Sequence, residues 1–290
     1  MTEATAVTPI EPSRPLALTV IRGALRLLSA TAPGVASRVA ADLFMTPRRY
    51  PTPPREQAIL AQGTPFTVRL GASREVRAWR FGEGSPVLLA HGWEGRGSQL
   101  TPFVAPLLER GYSVITFDAP GHGASPGSRS SLPHFAWALR GVADTVGAPH
   151  AIIAHSLGCA AATLALRDGL TAARLVFIAP PLNPRDYTAR FGDILGLDAA
   201  TIEGLQMRIE ERFARKWSDY SLEESARLMT APLLVVHDRE DRDTFWSEGA
   251  ALAKAWPGAR LMTTEGLGHR RILRDKTVID DVTQFVDLLS

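Results

Sequence analysis

The sequence is poor in cysteine. Cys159 stands alone, so no disulfide can form within the chain, and a single thiol fits a reducing compartment. Long apolar runs are missing too. The longest early one, 15–21, is short and diluted by Thr19, and Arg22 and Arg26 interrupt the next stretch. A membrane-spanning helix needs about 20 apolar residues. An export signal would begin with basic residues, whereas Glu3 and Glu11 come before the first arginine, Arg14. Blocks of like charge are absent and the net charge is only +2, which gives no drive toward nucleic acid or an anionic lipid surface. No internal repeat is visible, and no two histidines have convincing metal-ligand spacing. These absences lead to the expectation of a soluble, cytoplasmic protein with no metal, no nucleic-acid partner and no stable membrane insertion. Oligomeric state is not legible from the sequence.

What is present is an ordinary globular composition: 290 residues, 45% hydrophobic and 21% charged, enough for one large core or a core with a small insertion. Residues 1–15, rich in Pro, Thr and Glu, read as a loose arm. From Leu16 the period is helical, with Ile21, Ala24, Leu25 and Leu28 on one face and Arg22, Arg26 and Ser29 opposite; a second helix is expected over 35–44. Such a pair fits a membrane surface, but packing on the domain or over the mouth of its site is the expectation. "TPRRYPTPP" reads as a turn-rich linker.

Beyond it the period changes to two. Segments 66–70 and 75–81 read as a hairpin turning at Gly71-Ala72-Ser73. Strands (87–90, 113–117, 151–154, 174–178) then alternate with helices (103–110, 135–146, 157–167), a rhythm that implies right-handed crossovers and a mostly parallel sheet with helices on both faces. It breaks over 180–230, about 50 residues of helical character. A strand at 232–236, a helix at 250–255, a strand at 260–263 and a helix at 278–289 close the pattern. The expected organisation is an amino-terminal arm with helices (1–60), an α/β core (61–180 and 231–290) and a small helical cap (181–230). The cap should lie over the carboxyl ends of the strands, where open parallel sheets bind ligands.

The chemistry centres on "IAHSLGCAAA", residues 153–162. Ser156 follows a strand and precedes a helix, and its neighbours two residues away, Ala154 and Gly158, are small. This is close to G-x-S-x-G, the tight turn that exposes a serine nucleophile, although Ala154 stands where the first glycine belongs. The same position suits an N-cap serine. A serine nucleophile needs a base, and an elbow of this kind expects an acid and then a histidine later in the chain. His269, in the Gly-rich "EGLGHRR" after the last strand, is the expected base. Of the carboxylates in "VVHDREDRD", Asp241 leaves room for the chain to curl back and is the expected acid. Asp238 lies so near the strand end that it can shape the turn instead; Asp243 and Asp186 are the remaining candidates. Backbone donors for a developing oxyanion are expected from Leu157, at the start of the helix, and from Trp93 in "AHGWEGRGS". Arg270, Arg271 and Arg274 read as a basic solvated surface, with anchoring of an anionic substrate group by Arg270 or Arg271 as the sharper reading. Cys159 reads as a small packing residue.

"LLAHGW", "VITFDAPGHGAS", "IAHSLG", "LLVVHDREDRD" and "GLGHRRIL" occur in that order over residues 88–273. With them the chain resembles the α/β-hydrolase superfamily, and its ending resembles that of a group of bacterial members. The resemblance implies the α/β-hydrolase fold, a structural role for the "FDAPGHGAS" loop with Asp118, Gly121, Gly123 and Ser125, and cofactor-free acyl chemistry on a small-molecule acyl substrate. A serine rather than an aspartate at the elbow speaks against dehalogenase or epoxide-hydrolase chemistry. The expected activity is cleavage of a carboxylic ester or thioester. Acyl transfer, a peroxide side activity, or a non-catalytic binding protein on the same fold would also fit the pattern.

Overall fold

Alternating apolar residues that find a partner on each side of a sheet build the centre of the molecule. The computed structural model describes residues 16–71 and 74–288; the expected 1–15 arm and the 72–73 part of the hairpin turn lie outside them. Eight strands form one sheet: β1 (Thr64–Leu70), β2 (Arg74–Phe81), β3 (Pro86–Ala90), β4 (Ser113–Phe117), β5 (Ala151–His155), β6 (Arg174–Ile178), β7 (Leu233–Asp238) and β8 (Arg260–Thr264). Their order is β1-β2-β4-β3-β5-β6-β7-β8. β1 and β2 form the antiparallel hairpin, β2 pairs antiparallel with β4, and β3 to β8 run parallel.

Twelve α-helices are found among the described residues: α1 (Leu16–Thr31), α2 (Pro33–Phe44), α3 (Pro54–Leu60), α4 (Val104–Leu108), α5 (Leu132–Val146), α6 (Leu157–Arg167), α7 (Asp186–Leu195), α8 (Ala199–Phe213), α9 (Leu222–Ala226), α10 (Trp246–Ala255), α11 (Gly268–Arg271) and α12 (Lys276–Asp287). The two-residue period of the strands sorts the core. Leu88, Ile115, Ile152, Leu175 and Val235 face the side covered by α5, α6 and α10. Val87, Val114, Ile153, Val176 and Val236 face the side covered by α4 and α12, with Ile59 and Leu60 of α3 against it.

Three expectations change. The helix expected over 103–110 is a 3-10 stretch, Gly97–Phe103, running into the short α4, with Pro102 inside the 3-10 part. The "linker" runs into α3, whose first turn begins at Pro53-Pro54. The buried stripe of α1 is also rotated from the expected one. Leu25 is buried and Arg22, Leu28 and Ser29 are half-buried, while Ile21 and Ala24 are exposed. The cause is the partner: α1 lies on the helices inserted between β6 and β7 and makes polar contacts there, with Ser29 Oγ 2.9 Å from Thr201 Oγ1 and Arg22 and Arg26 beside the left-handed Gly196 that ends α7.

α2 comes close to α8 because Gly204 has no side chain. A Cβ there would lie 2.2 Å from Ser37 Oγ, and Arg208 donates to Gly34 O at 2.9 Å. Gly204→Leu is therefore expected to force the two helices apart and to cost about 1–3 kcal/mol, read as a lowered urea midpoint in an otherwise folded protein.

Candidate active site

Ser156 sits between β5 and α6 with φ 54° and ψ −123°, in the left-handed half of conformational space. Its N–H donates to Ile178 O of the neighbouring strand at 2.9 Å, which ties the turn to the sheet. The N-cap expectation fails in part: Ser156 occupies the cap position, but its hydroxyl makes no capping bond. Two glycines make the turn possible. A Cβ on Gly158 would lie 2.5 Å from Ala90 O, and one on Gly92 would lie 2.8 Å from the Ser156 Cβ. Ala154, the departure from the glycine pattern, points its methyl into the core and is fully buried with Cys159 beside it. The Cys159 thiol donates to Ala154 O at 3.3 Å, and burial pushes its pKa well above the ordinary value, as suits a packing residue.

The expected base and acid come together. His269 Nδ1 and Asp241 Oδ2 are 2.7 Å apart, with the Asp241 side chain fully buried. His269 lies in the helical turn α11 rather than in an open loop. Asp241 Oδ1 accepts the amides of Asp243 (2.8 Å) and Thr244 (3.0 Å). Burial alone would raise the Asp241 carboxyl. The nearby His237 and His269 imidazoles and the Thr244 amide outweigh it and hold the carboxyl well below the ordinary value. Asp238 is committed to the turn: its carboxylate accepts Glu240 N (3.0 Å), Thr264 Oγ1 (2.7 Å) and Leu267 N (3.0 Å). Asp243 and Asp186 are exposed.

Three neighbours have contacts here that the sequence did not reveal. Thr244 Oγ1 lies 3.1 Å from both Asp241 Oδ2 and His269 Nδ1. His237, fully buried, lies 3.6 Å from Asp241 Oδ2 and donates from Nε2 to Thr244 O at 3.1 Å, while its Nδ1 has no partner among the described residues. His155 donates from Nε2 to His269 O at 2.9 Å. Thr244 and His237 sit beside "DRED" in the chain, but only the folded loop turns them toward the carboxylate.

The amides of Trp93 and Leu157, the expected oxyanion donors, find no acceptor among the described residues. The loop that carries Trp93 is braced by two imidazoles. His91 donates from Nδ1 to Gly92 O (2.7 Å) and accepts Ala119 N–H (3.0 Å). His122 donates to Pro120 O (3.0 Å) and accepts Glu94 N–H (3.1 Å). These bonds need neutral rings. Burial, helped by the mutual repulsion of the pair, holds His91 down to about 3, and burial holds His122 down to about 4. Glu94 has φ 54°, and its carboxylate takes the Arg48 main-chain amide and Nε at 3.1 Å each. The Asp118 loop is structural, as the resemblance implies, with its carboxylate accepting Gly97 N and Ala124 N at 2.7 Å each.

The three arginines after His269 separate. Arg271 folds back on its own loop and donates to Gly266 O. Arg274 is exposed but not free: it pairs at 3.0 Å with Glu56, a buried carboxylate that also takes Arg96 and Ser98 at 2.7 Å each. Arg270 is exposed and unpaired among the described residues. No three His, Cys, Asp or Glu side chains among the described residues converge as metal ligands do, and no described helix is long and apolar enough to cross a membrane.

The alpha/beta hydrolase family model matches residues 87–281, which runs from within β3 to within α12 and includes Ser156, Asp241 and His269. The chain belongs to the alpha/beta hydrolase family. No curated protein matches its sequence. Solved structures share the fold of this alpha/beta hydrolase. The esterase Pf2001 of Pyrococcus furiosus superposes with a TM-score of 0.64 at 18% identity, covering 83% of this chain and 98% of its own. An esterase from Exiguobacterium antarcticum gives 0.63 at 17% identity, covering 78% and 100%. Est1E from Butyrivibrio proteoclasticus, with ferulic acid bound, gives 0.61 at 19%, covering 77% and 96%.

The buried imidazoles of this alpha/beta hydrolase make a pH prediction. His91, His122 and His134 stay neutral below their ordinary value of 6.5, to about 3, 4 and 4, with burial the first cause in each. The unfolded chain takes up these protons first, so stability is full above pH 6.5 and falls as pH drops toward 4, with a slope of up to about 1.4 kcal/mol per pH unit for each group. Urea midpoints at pH 7.5, 6 and 5 should fall in that order; a flat series would contradict the neutral-brace assignment.

Proposed function

We propose that the protein is a serine hydrolase that cleaves a carboxylic ester or thioester through Ser156, His269 and Asp241. The observation that carries the reading is the Ser156 turn, strained to φ 54° at the carboxyl end of the central strands where the His269–Asp241 pair also stands. A non-glycine residue held there at a cost of about 1–3 kcal/mol points to a functional demand. With Nδ1–H engaged by Asp241, His269 has Nε2 left to take the Ser156 proton as Oγ attacks the acyl carbon. Asp241, ionised and buried, stabilises the imidazolium that results. The Trp93 and Leu157 amides would hold the oxyanion, the second at the start of α6 where the helix dipole favours negative charge. His269 then passes the proton to the leaving group and activates water against the acyl-enzyme.

The insertion over 181–230 is proposed to cover the acyl site. It leaves the sheet at the carboxyl end of β6, and Arg190 of α7 donates to Asp243 O at 2.6 Å, two residues from Asp241. The esterases that share the fold support ester substrates.

Ser156→Ala is expected to lower kcat on p-nitrophenyl esters or acyl-CoA thioesters by about 10⁴-fold or more and to abolish labelling by a fluorophosphonate probe. Equal labelling of wild type and variant would sink the nucleophile assignment. Substrate charge is a separate question. With Arg271 bonded to its own loop, recognition of an anionic acyl group rests on Arg270. Arg270→Ala should raise KM several-fold, on the order of 1 kcal/mol, for anionic acyl esters alone; an equal rise for neutral esters would remove that role.

A further inference from the structure

His155, the residue before the proposed nucleophile, is not used by the mechanism above, yet it is buried against the proposed base. It is 5% exposed at the end of β5, and its ring centroid lies 4.6 Å from that of His269, tilted by 47°. The main chain of His269 needs such an anchor. It follows two glycines in left-handed conformations, Gly266 at φ 77° and Gly268 at φ 61°. Around them there is open space: nothing lies within 4 Å of a Cβ position on Gly266, and only Glu240 O at 3.9 Å near one on Gly268. The loop is held at its start by Asp238, through Thr264 Oγ1 and Leu267 N. His269 itself is held at its ring and at its main chain. Asp241 grips the ring at Nδ1, and His155 Nε2–H grips the carbonyl oxygen at 2.9 Å.

The second hold comes from the element that carries Ser156. His155 is registered to Ile178 in the sheet, and the next amide, Ser156 N, donates to Ile178 O. The base is thus referenced to the nucleophile's own strand independently of the acid. We infer that His155 is a positioning residue: its Nε2–H fixes the His269 main chain so that the His269 ring meets Ser156. The carbonyl accepts, so Nε2 carries a proton. Burial, with the neighbouring His269 second, keeps His155 well below its ordinary pKa, so it adds no charge beside the imidazolium that forms in turnover. This inference rests on the proposed Ser156–His269 chemistry.

The test uses the full chain and p-nitrophenyl esters. His155→Phe keeps an aromatic ring but removes the donor; kcat should fall roughly 10- to 100-fold, the scale of a misplaced catalytic group, with KM within about twofold. His155→Gln places an amide N–H near the Nε2 position and should recover kcat to within about fivefold of wild type, while His155→Asn, whose shorter side chain cannot reach, should not. The fluorophosphonate labelling rate should follow the same order. Wild-type kcat in His155→Phe, or equal kcat in folded His155→Gln and His155→Asn, overturns the inference. If His155→Phe does not fold, the Gln–Asn comparison decides alone. Full activity in Ser156→Ala and His269→Ala overturns the underlying reading of the site and this inference with it; inactive controls beside an unimpaired His155→Phe overturn only the inference.

Discussion

The rest of the candidate site depends on one close approach. β3 and β5 are neighbours in register, Ala90 opposite Ala154, so the chain leaving β5 must turn against the chain leaving β3. Gly158 meets the carbonyls of Ala90 and His91, Gly92 meets the Ser156 side chain, and Ser156 takes the left-handed conformation that remains. The same pinch brings the start of α6 beside the Trp93 loop, so the two unpaired amides follow from the turn. Two apolar layers, one on each face of the sheet, are large enough to hold a strained turn that costs about 1–3 kcal/mol. Strain is concentrated there: of the described non-glycine residues with positive φ, Glu94, Ser156 and Ala179 all follow the carboxyl ends of central strands, and only Ala214 lies elsewhere.

The groups around His269 and the Trp93 loop include one deeply buried carboxylate, Asp241, and several neutral imidazoles. Asp241 is out of water and keeps its charge because donors surround it: two amides, a hydroxyl and the His269 imidazole. His91, His122 and His155 are the opposite case. Burial keeps them neutral, and each then offers one donor and, for the first two, one acceptor to backbone groups that fix a loop. A second cation there would oppose the imidazolium that the proposed mechanism requires.

The amino-terminal helices are part of the architecture of this end. α1 and α2 rest on α7 and α8, and Phe44 meets Phe191 edge-on at 5.3 Å. The segment between α2 and α3 then runs as a strap. Arg48 grips Glu94 beside Trp93, and Arg49 donates to the carbonyls of Gly123 (3.0 Å), Ser125 (2.7 Å) and Gly127 (2.6 Å). Two adjacent arginines thereby hold the two loops that follow β3 and β4. Exposed ion pairs are individually weak, but Arg49 satisfies three carbonyls at once, and a guanidinium can do so in one geometry.

The sequence by itself determined the sheet, because strand periodicity is local and burial on both faces leaves Val, Ile and Leu little choice of place. It also marked Ser156 as the candidate nucleophile, because the turn there admits only small neighbours and that demand is written in Ala154 and Gly158. It favoured Asp241 over Asp238 without excluding the second; both are acids near the same strand end, and only the path of the loop sends one to His269 and the other to Thr264 and Leu267. Nor could it place the buried face of α1, which is set by a partner helix far along the chain rather than by the helix's own pattern. His155, His237, Thr244, Arg48 and the Glu56 cluster belong to the same class. Each acts through a group brought near by folding, and a hydrogen bond between distant residues leaves no local signature in either of them.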